Sequence, residues 1–218
     1  MESHLYSIGI GVIALIALGR AAVVLYIFFR RSLSYRKRAV ATPGSWADFI
    51  AYPEPYLLFA VTLSLWILHE PATVPATVEL ARVGVGVVIA LTALAIQLWS
   101  IRAFPTVAVG HYVLPEQQLI TKGPYAYVRH PIYALVILIW VSVAIGFASL
   151  VAGLITVGYV IPAYVIYSRS EEKMMLEHFG DAYRAYRRNT GAFFPRLHKR
   201  APAASAPYPP VDTGPKSY

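Results

Sequence analysis

An arginine, a histidine and a proline stand together where a long apolar run begins, in the stretch GPYAYVRHPIYALVILIW. Pro131 suits the first turn of a helix, where its missing N–H removes no hydrogen bond. His130 would then lie at the helix N-terminus, whose unpaired N–H groups and partial positive charge attract anions. Arg129 adds a fixed cation with a bidentate fork. Together these residues predict a corner that binds a carboxylate or a phosphate.

The alternative for this cluster is interfacial anchoring, because basic and aromatic residues are common where helices meet the membrane surface. A pair of carboxylates, Glu171 and Glu172, weighs against that alternative. A helical hairpin between the two motifs would bring this pair close to Arg129, where it could pair with Arg129 and Arg169 or bind a cationic or hydroxyl-bearing ligand. Taken alone, the pair could also be a favourable charge in the first turn of a helix. The spacing predicts no metal site.

Membrane helices are the elements that must position these residues. The chain has 218 residues, of which 57% are hydrophobic and only 14% charged, whereas soluble domains carry about 25% charged residues. The net charge of +8 is typical of basic loops that contact anionic lipid and does not require a nucleic-acid partner. The absence of cysteine excludes disulfides and thiolate chemistry. The first apolar segment lacks the features of a cleaved signal peptide and is expected to remain as a helix.

Five apolar segments are candidates to cross the membrane, since a span needs about 20 apolar residues. They lie at about Leu5–Phe29, Tyr56–Leu68 (with an earlier start at Phe49 interrupted by two prolines), Leu80–Ile101, Pro131–Phe147 and Leu150–Tyr167. The last two are expected to form a tight hairpin, with a kink at Pro162. Arg20, inside the first span, is expected to face the bundle, pair or snorkel, because a lipid-facing arginine costs about 2.5–3.5 kcal/mol.

Basic residues predict the orientation, because cytoplasmic connections carry an excess of Lys and Arg. They follow the first, third and fifth spans, while the two opposite connections carry only Arg82. The N-terminus is therefore predicted outside. The three basic segments, and with them the candidate site, are predicted in the cytoplasm.

Beyond the fifth span, the sequence predicts a cytoplasmic amphipathic helix that lies near the headgroups or caps the bundle. Its apolar face would hold Met175, Phe179, Tyr183 and Tyr186, which recur at intervals of four, four and three residues. Gly180 is expected to break this helix, with Asp181 capping the second piece.

The whole chain reads as an all-α polytopic membrane protein in three parts. N-terminal helices occupy 1–101, and a core with the motifs occupies 102–198. A tail at 199–218, rich in Pro, Ala and Ser, is expected to be disordered.

Three segments together resemble a known family: LITKGPYAYVRHPIY, then EEKMMLEHFGDAYRAYRR after a helical hairpin, then FFP. They look like the isoprenylcysteine carboxyl methyltransferases, and equally like the related integral-membrane phospholipid and thiol methyltransferases. The resemblance covers about Leu98 to Pro195, and a five-span architecture fits the prokaryotic members. The stretch RAFPTVAVGHYV departs from the Leu-Gly-containing segment usual in the family.

The resemblance implies S-adenosylmethionine as methyl donor, held in a cytoplasmic pocket. Carried over by motif, the cofactor-binding residues are Tyr125, Val128, Arg129, His130, Tyr133, Glu171 and Glu172. The chemistry agrees, since the cofactor's carboxylate suits Arg129 and His130, while its ammonium suits a glutamate. Ring and apolar surfaces for adenine would come from Tyr125, Tyr133, Met174, Met175 and Tyr183.

The acceptor implied by the resemblance is lipid-like, with its tail entering sideways between helices, and a prenylcysteine-type carboxylate is the first expectation. A carboxylate needs only a cation to aim it, which predicts a catalytic role for Arg129 or Arg169. A phospholipid amine or a thiol would instead need a proton acceptor such as Glu172. Two other classes stay open: an NADPH-dependent sterol-type reductase, and a non-catalytic scaffold or transporter. Polar motifs at one surface count against transport.

Overall fold

Every regular element is helical in the part of the chain that the structure describes. The computed structural model describes residues 2–27, 49–68, 74–104, 113 and 118–196. Its elements are α1 (Glu2–Ile27), α2 (Glu54–Ile67), α3 (Ala76–Ala103), a 3₁₀ turn (Gly123–Ala126), α4 (Pro131–Gly146) and α5 (Leu150–Asn189). The predicted all-α fold is confirmed. The basic connection after α1 and the tail predicted from residue 199 lie outside the described residues.

Four helices of the described part are long and apolar enough to cross a membrane: His4–Tyr26, Phe49–Ile67, Ala76–Ala103 and Leu150–Asn189. The fourth predicted span, α4, is apolar but has 16 residues, just below the usual range of roughly 17–25. Large apolar side chains face outward, among them Leu15 at 73% and Val157 at 68% exposure. Such a surface suits lipid, because water-soluble proteins rarely leave extended apolar areas exposed.

The short helix α4 lies inside the bundle, packed against α1, α3 and α5. Leu135, Ile139 and Trp140 are at most 1% exposed. The contact with α3 brings the two backbones together, since a Cβ at Gly86 would lie 3.1 Å from the Cα of Gly146. Because α4 is held on several sides, the residues at its start are fixed relative to the rest of the bundle.

The predicted hairpin between α4 and α5 is confirmed. α4 ends at Gly146 and α5 begins at Leu150. Ser149 caps α5, its hydroxyl oxygen accepting a hydrogen bond from the N–H of Ala152 at 3.2 Å. Near Pro162, where the sequence predicts a kink, α5 contains a π-helical turn at Thr156–Val160, which ends two residues before the proline that cannot donate a backbone hydrogen bond.

The fifth predicted span and the amphipathic helix predicted after it belong to one element, since α5 continues past Tyr167 without a loop and ends at Asn189. From Leu150 to the kink at Gly180, this helix is about 45 Å long, which exceeds the roughly 30 Å of a hydrocarbon core. The polar half that begins at Ser168 therefore projects beyond the membrane. Gly180 interrupts the helical backbone there, with φ 53° and ψ −124°, as expected. Asp181 accepts a hydrogen bond from Arg184 at 2.7 Å.

Two arginines inside the membrane helices are paired. Arg20 faces the bundle, as expected, and its Nη1 is 3.2 Å from Oε1 of Glu54. Arg82 was predicted in a connection, which is wrong, since it lies in α3. Its Nη1 donates to the carbonyl oxygens of Ile145, at 2.8 Å, and Gly146. Arg82 thus satisfies carbonyls that the end of a helix leaves unpaired.

Candidate functional site

A glycine–proline turn seats the loop before α4 against the end of α3. Gly123 has φ +62°, and a Cβ there would lie 2.6 Å from the Cβ of Ala103. The carbonyl of Pro124 accepts hydrogen bonds from the N–H groups of Tyr127 and Val128, both at 3.1 Å. The turn predicted at Gly123 and Pro124 is confirmed. It leads the chain to the end of the bundle where α4 begins and where α5 carries Glu171 and Glu172, here called the polar end.

Arg129 points at α5. Its Nε and Nη2 donate to Oε1 of Glu172 at 2.8 and 2.6 Å. Its Nη1 donates to the carbonyl oxygens of Arg187, at 3.3 Å, and Thr190. The Arg129 side chain is 7% exposed. Its fork therefore holds the end of α5 against the start of α4.

Glu172 is surrounded by cations. Beside Arg129, its Oε1 lies 3.2 Å from Nε2 of His130, and its Oε2 lies 3.2 Å from Nε of Arg187. Burial alone would raise the pKa of Glu172, but the hydrogen bonds from His130 and Arg129 outweigh it and lower the pKa to about 2. Glu172 is thus an ionised carboxylate with partners on both oxygens.

His130 lies between the two glutamates. Its Nδ1 is 3.3 Å from Oε2 of Glu171 and its Nε2 is 3.2 Å from Oε1 of Glu172. Burial would lower the pKa of His130, but the hydrogen bonds and charges of Glu171 and Glu172 prevail, and the pKa is raised. Only the imidazolium can donate to both carboxylates at once.

Tyr133 joins the same group through its ring and its hydroxyl. The hydroxyl donates to Oε2 of Glu171 at 2.6 Å. The ring stacks on His130, with centroids 5.2 Å apart and planes 9° from parallel. The Glu171 side chain is 21% exposed, against 11% for Glu172. Glu171 is therefore the more accessible of the two carboxylates.

The segment after α5 covers the N-terminus of α4. The N–H groups of Arg129 and His130 donate to the carbonyls of Gly191, at 2.8 Å, and Ala192, at 3.0 Å. The ring of Phe193 lies 5.9 Å from that of His130. The sequence did not predict this contact between the segment after α5 and the start of α4. The available signal was the FFP motif, which belongs to the family resemblance and follows Gly191 closely. We call residues 190–193 the strap.

Tyr125 is buried under the polar end, with 8% exposure. Its carbonyl accepts a hydrogen bond from the hydroxyl of Tyr186 at 2.7 Å. Its own hydroxyl has no hydrogen-bond partner among the described residues. A buried hydroxyl without a partner is costly, and such a group is what a bound ligand would satisfy.

The other residues predicted for the site lie at different depths. Val128 is half-buried and bridges to Gly191 of the strap. Met174 and Tyr183 are buried. Arg169 is exposed, and within the described part of the chain no ion pair joins it to Glu171 or Glu172. The predicted pairing of the two glutamates with Arg129 and Arg169 therefore holds for Arg129 alone, while Arg187 provides the second cation.

Fold and site together define a helical membrane protein with a buried, charged polar end. Residues 81–182 match the family model described as PEMT, phospholipid methyltransferase. This match supports a membrane methyltransferase that acts on lipid-like substrates, the class that the sequence motifs indicated. The matched segment contains most of α3, all of α4 and the first part of α5 with both glutamates, while α1 and α2 precede it. No curated protein matches the chain.

Proposed function

We propose that this protein is an S-adenosylmethionine-dependent methyltransferase that methylates a lipid-like acceptor at the polar end. The observation that carries the proposal is the convergence of His130, Tyr133 and Glu171 at the start of α4, where the charge of Glu171 also acts on the buried hydroxyl of Tyr125. S-adenosylmethionine supplies a methyl group that is already activated as a sulfonium. The chain therefore needs to bind, orient and keep water away, and needs no strong catalytic group of its own.

The residues of the polar end fit this cofactor. Glu171, the more accessible carboxylate, would accept hydrogen bonds from the cofactor's ammonium, and the Tyr125 hydroxyl would donate to one of its acceptors. His130 and Tyr133 would supply ring surface, with Val128 beside them. Glu172 and Arg129 would act on the site through their ion pair. This pair fixes the start of α4 against α5, and it thereby fixes the positions of His130 and Glu171.

A prenylcysteine-type carboxylate is the first acceptor class that we propose. A carboxylate is ionised at neutral pH, so its oxygen can attack the methyl carbon without a base while the carbon–sulfur bond breaks and the sulfur keeps the electron pair. Arg169 is exposed on α5, two residues before Glu171, and would aim this carboxylate. Arg129 is engaged with Glu172, which leaves Arg169 as the better candidate.

A phospholipid amine is the second acceptor class, favoured by the description of the matching family. An amine arrives as an ammonium and must lose a proton before its nitrogen can form the new bond to carbon. Glu171 is assigned to the cofactor's ammonium and Glu172 is held by Arg129, His130 and Arg187, so the proton would pass to water at the accessible side of the polar end.

The test is incubation of the purified protein with methyl-labelled S-adenosylmethionine and either N-acetyl-S-farnesylcysteine or phosphatidylethanolamine. A labelled methyl ester releases its label in alkali, whereas an N-methyl product keeps it, so the two acceptor classes give distinct results. Glu171→Gln should lose most of the activity. The matched control is Glu177→Gln on the same helix, where the side chain is 68% exposed. Thermal stabilisation by NADPH but not by S-adenosylhomocysteine would instead support the reductase class.

We also propose that the polar end faces the cytoplasm and that the N-terminus lies outside. The distribution of basic residues along the sequence supports this orientation. Because the chain has no cysteine, a single cysteine at the exposed Lys173 can be labelled selectively in intact cells. A membrane-impermeant maleimide should fail to label it until the cells are opened.

A further inference from the structure

A second polar group lies inside the bundle, apart from the polar end. Glu54 accepts hydrogen bonds from Arg20 (3.2 Å), from Nε1 of Trp140 (2.9 Å) and from the hydroxyl of Tyr164 (3.1 Å). All four residues are at most 7% exposed. Glu54 is also the first residue of α2, where the helix dipole favours a negative charge. We call these residues the Glu54 cluster.

The Glu54 cluster and the polar end lie at two successive levels, here called layers, along the same pair of helices, α4 and α5. On α5, Tyr164 precedes Glu171 by seven residues, and on α4, Trp140 follows Tyr133 by seven. Seven residues are two helical turns, which keeps each pair on one face and separates the layers by about 10.5 Å. The antiparallel hairpin therefore places Tyr133 and Glu171 in the outer layer and Trp140 and Tyr164 in the inner layer.

The tyrosine rings connect the two layers. The Tyr164 ring lies 5.1 Å from the Tyr133 ring, at an interplanar angle of 38°. The hydroxyl of Tyr164 is held by Glu54, which limits the movement of its ring. Tyr133 in turn stacks on His130 and donates to Glu171. An unbroken series of contacts thus runs from the Arg20–Glu54 ion pair to the accessible carboxylate of the site.

We infer that Glu54 and Tyr164 are positioning residues for the site: Glu54 fixes Tyr164, whose ring keeps Tyr133 where its hydroxyl meets Glu171. The inference rests on the proposed function. Ionisable residues inside membrane helices are expensive and usually mark function. Here they belong to α1 and α2, which precede the segment that matches the family model. The N-terminal helices would therefore support methyl transfer through the positions of Tyr164 and Tyr133.

The test compares Tyr164→Phe with Tyr159→Phe. Each variant removes one hydroxyl from α5. The hydroxyl of Tyr164 donates to Glu54 at the start of α2, and the hydroxyl of Tyr159 donates to the carbonyl of Ile50, just before α2, at 2.7 Å. Of these two tyrosines, it is Tyr164 that contacts Tyr133. We expect Tyr164→Phe to weaken binding of S-adenosylhomocysteine by roughly fivefold to tenfold, which is less than the full effect of a hydrogen bond to a charged group because the lost bond acts on the site only through Tyr133. Tyr159→Phe should stay within about twofold of the wild type.

Kinetics separates positioning from stability. A variant that merely unfolds more easily lowers the active fraction and leaves the KM for S-adenosylmethionine unchanged, whereas Tyr164→Phe should raise that KM. Equal affinities in the two variants, or an unchanged KM in Tyr164→Phe, would overturn the inference while the wild type still binds and methylates. A wild-type protein that neither binds S-adenosylhomocysteine nor methylates either acceptor would overturn the proposed function, and this inference with it.

Discussion

Arg129 and Glu172 are separated by 43 residues in the sequence and form a nearly buried ion pair, with Nη2 2.6 Å from Oε1. The ion pair joins Arg129, two residues before the start of α4, to the polar half of α5. Arg129 also donates to carbonyls at the end of α5, so one guanidinium connects three parts of the polar end.

Arg129→Lys should therefore be damaging although it keeps the charge. An ammonium cannot reproduce the planar fork that reaches Glu172 and the carbonyl of Thr190 together. We expect the free energy of unfolding to fall by about 1.5–3 kcal/mol, with weaker binding of S-adenosylhomocysteine. Chemical unfolding and calorimetry measure the two effects. Arg184→Lys is the matched control, because Arg184 is 63% exposed and pairs locally with Asp181; equal losses in both variants would contradict the role given to Arg129.

Gly191→Ala should displace the strap. A Cβ at this position would overlap the carbonyl oxygen of Phe194, so the turn that presents Gly191 and Ala192 to α4 could not form unchanged. We expect a loss of about 1–3 kcal/mol in unfolding free energy and faster amide exchange at Arg129 and His130. The control is Gly153→Ala, at a helical position with open space around it, which should be neutral or stabilising by up to about 1 kcal/mol. Slow exchange retained in Gly191→Ala would show that the strap does not depend on this glycine.

Stability should depend on pH through His130 and Glu172. The pKa of Glu172 is lowered to about 2, so its contribution is present above its ordinary pKa near 4.5 and is lost as pH falls toward 2. The pKa of His130 is raised above 6.5, so its contribution is complete below 6.5 and is lost as pH rises through the raised value. The two together predict greatest stability between about pH 4.5 and 6.5. Thermal unfolding across pH measures this, and His130→Gln should remove the decline on the alkaline side; an unchanged decline would exclude His130 as its source.

The Arg20–Glu54 pair should behave as a coupled unit. Arg20→Met leaves a buried carboxylate without its cation, which we expect to cost about 3–5 kcal/mol. Adding Glu54→Gln removes the charge while an amide oxygen can still accept from Trp140 and Tyr164, so the double variant should recover part of the loss. A double-mutant cycle in the free energy of unfolding checks this, and additive losses would show that the two residues do not interact.

Local rules were sufficient for several features of the fold. Pro131 marks the start of α4 because a proline is tolerated in the first turn of a helix. The short link at Gly146–Ser149 requires the two helices that it joins to be antiparallel neighbours. The closeness of Arg129 to Glu172 follows from that hairpin. By contrast, α5 continues past Tyr167 because nothing in SRSEEKMM breaks a helix; the fall in hydropathy there marks the edge of the membrane and leaves the helix intact.

The partners of these residues could not be predicted. Glu54 stands between two prolines and resembles a loop charge, and its contact with Arg20 depends on the rotation of two separate helices. Arg187 is one of several arginines near the end of α5, and helical phase alone does not show which of them turns toward Glu172. Pairings of this kind are fixed by tertiary packing, which a single sequence does not display.

The 16 residues of α4 rise about 24 Å, whereas the hydrocarbon core of a bilayer is about 30 Å thick. α4 is therefore shorter than the core by about 6 Å, which the bundle can accommodate because longer helices cover most of the surface of α4. The start of α4 would then lie slightly below the headgroups of its leaflet. A lipid headgroup could meet Glu171 and His130 there without leaving its leaflet, so that the membrane itself would deliver the acceptor to the enzyme.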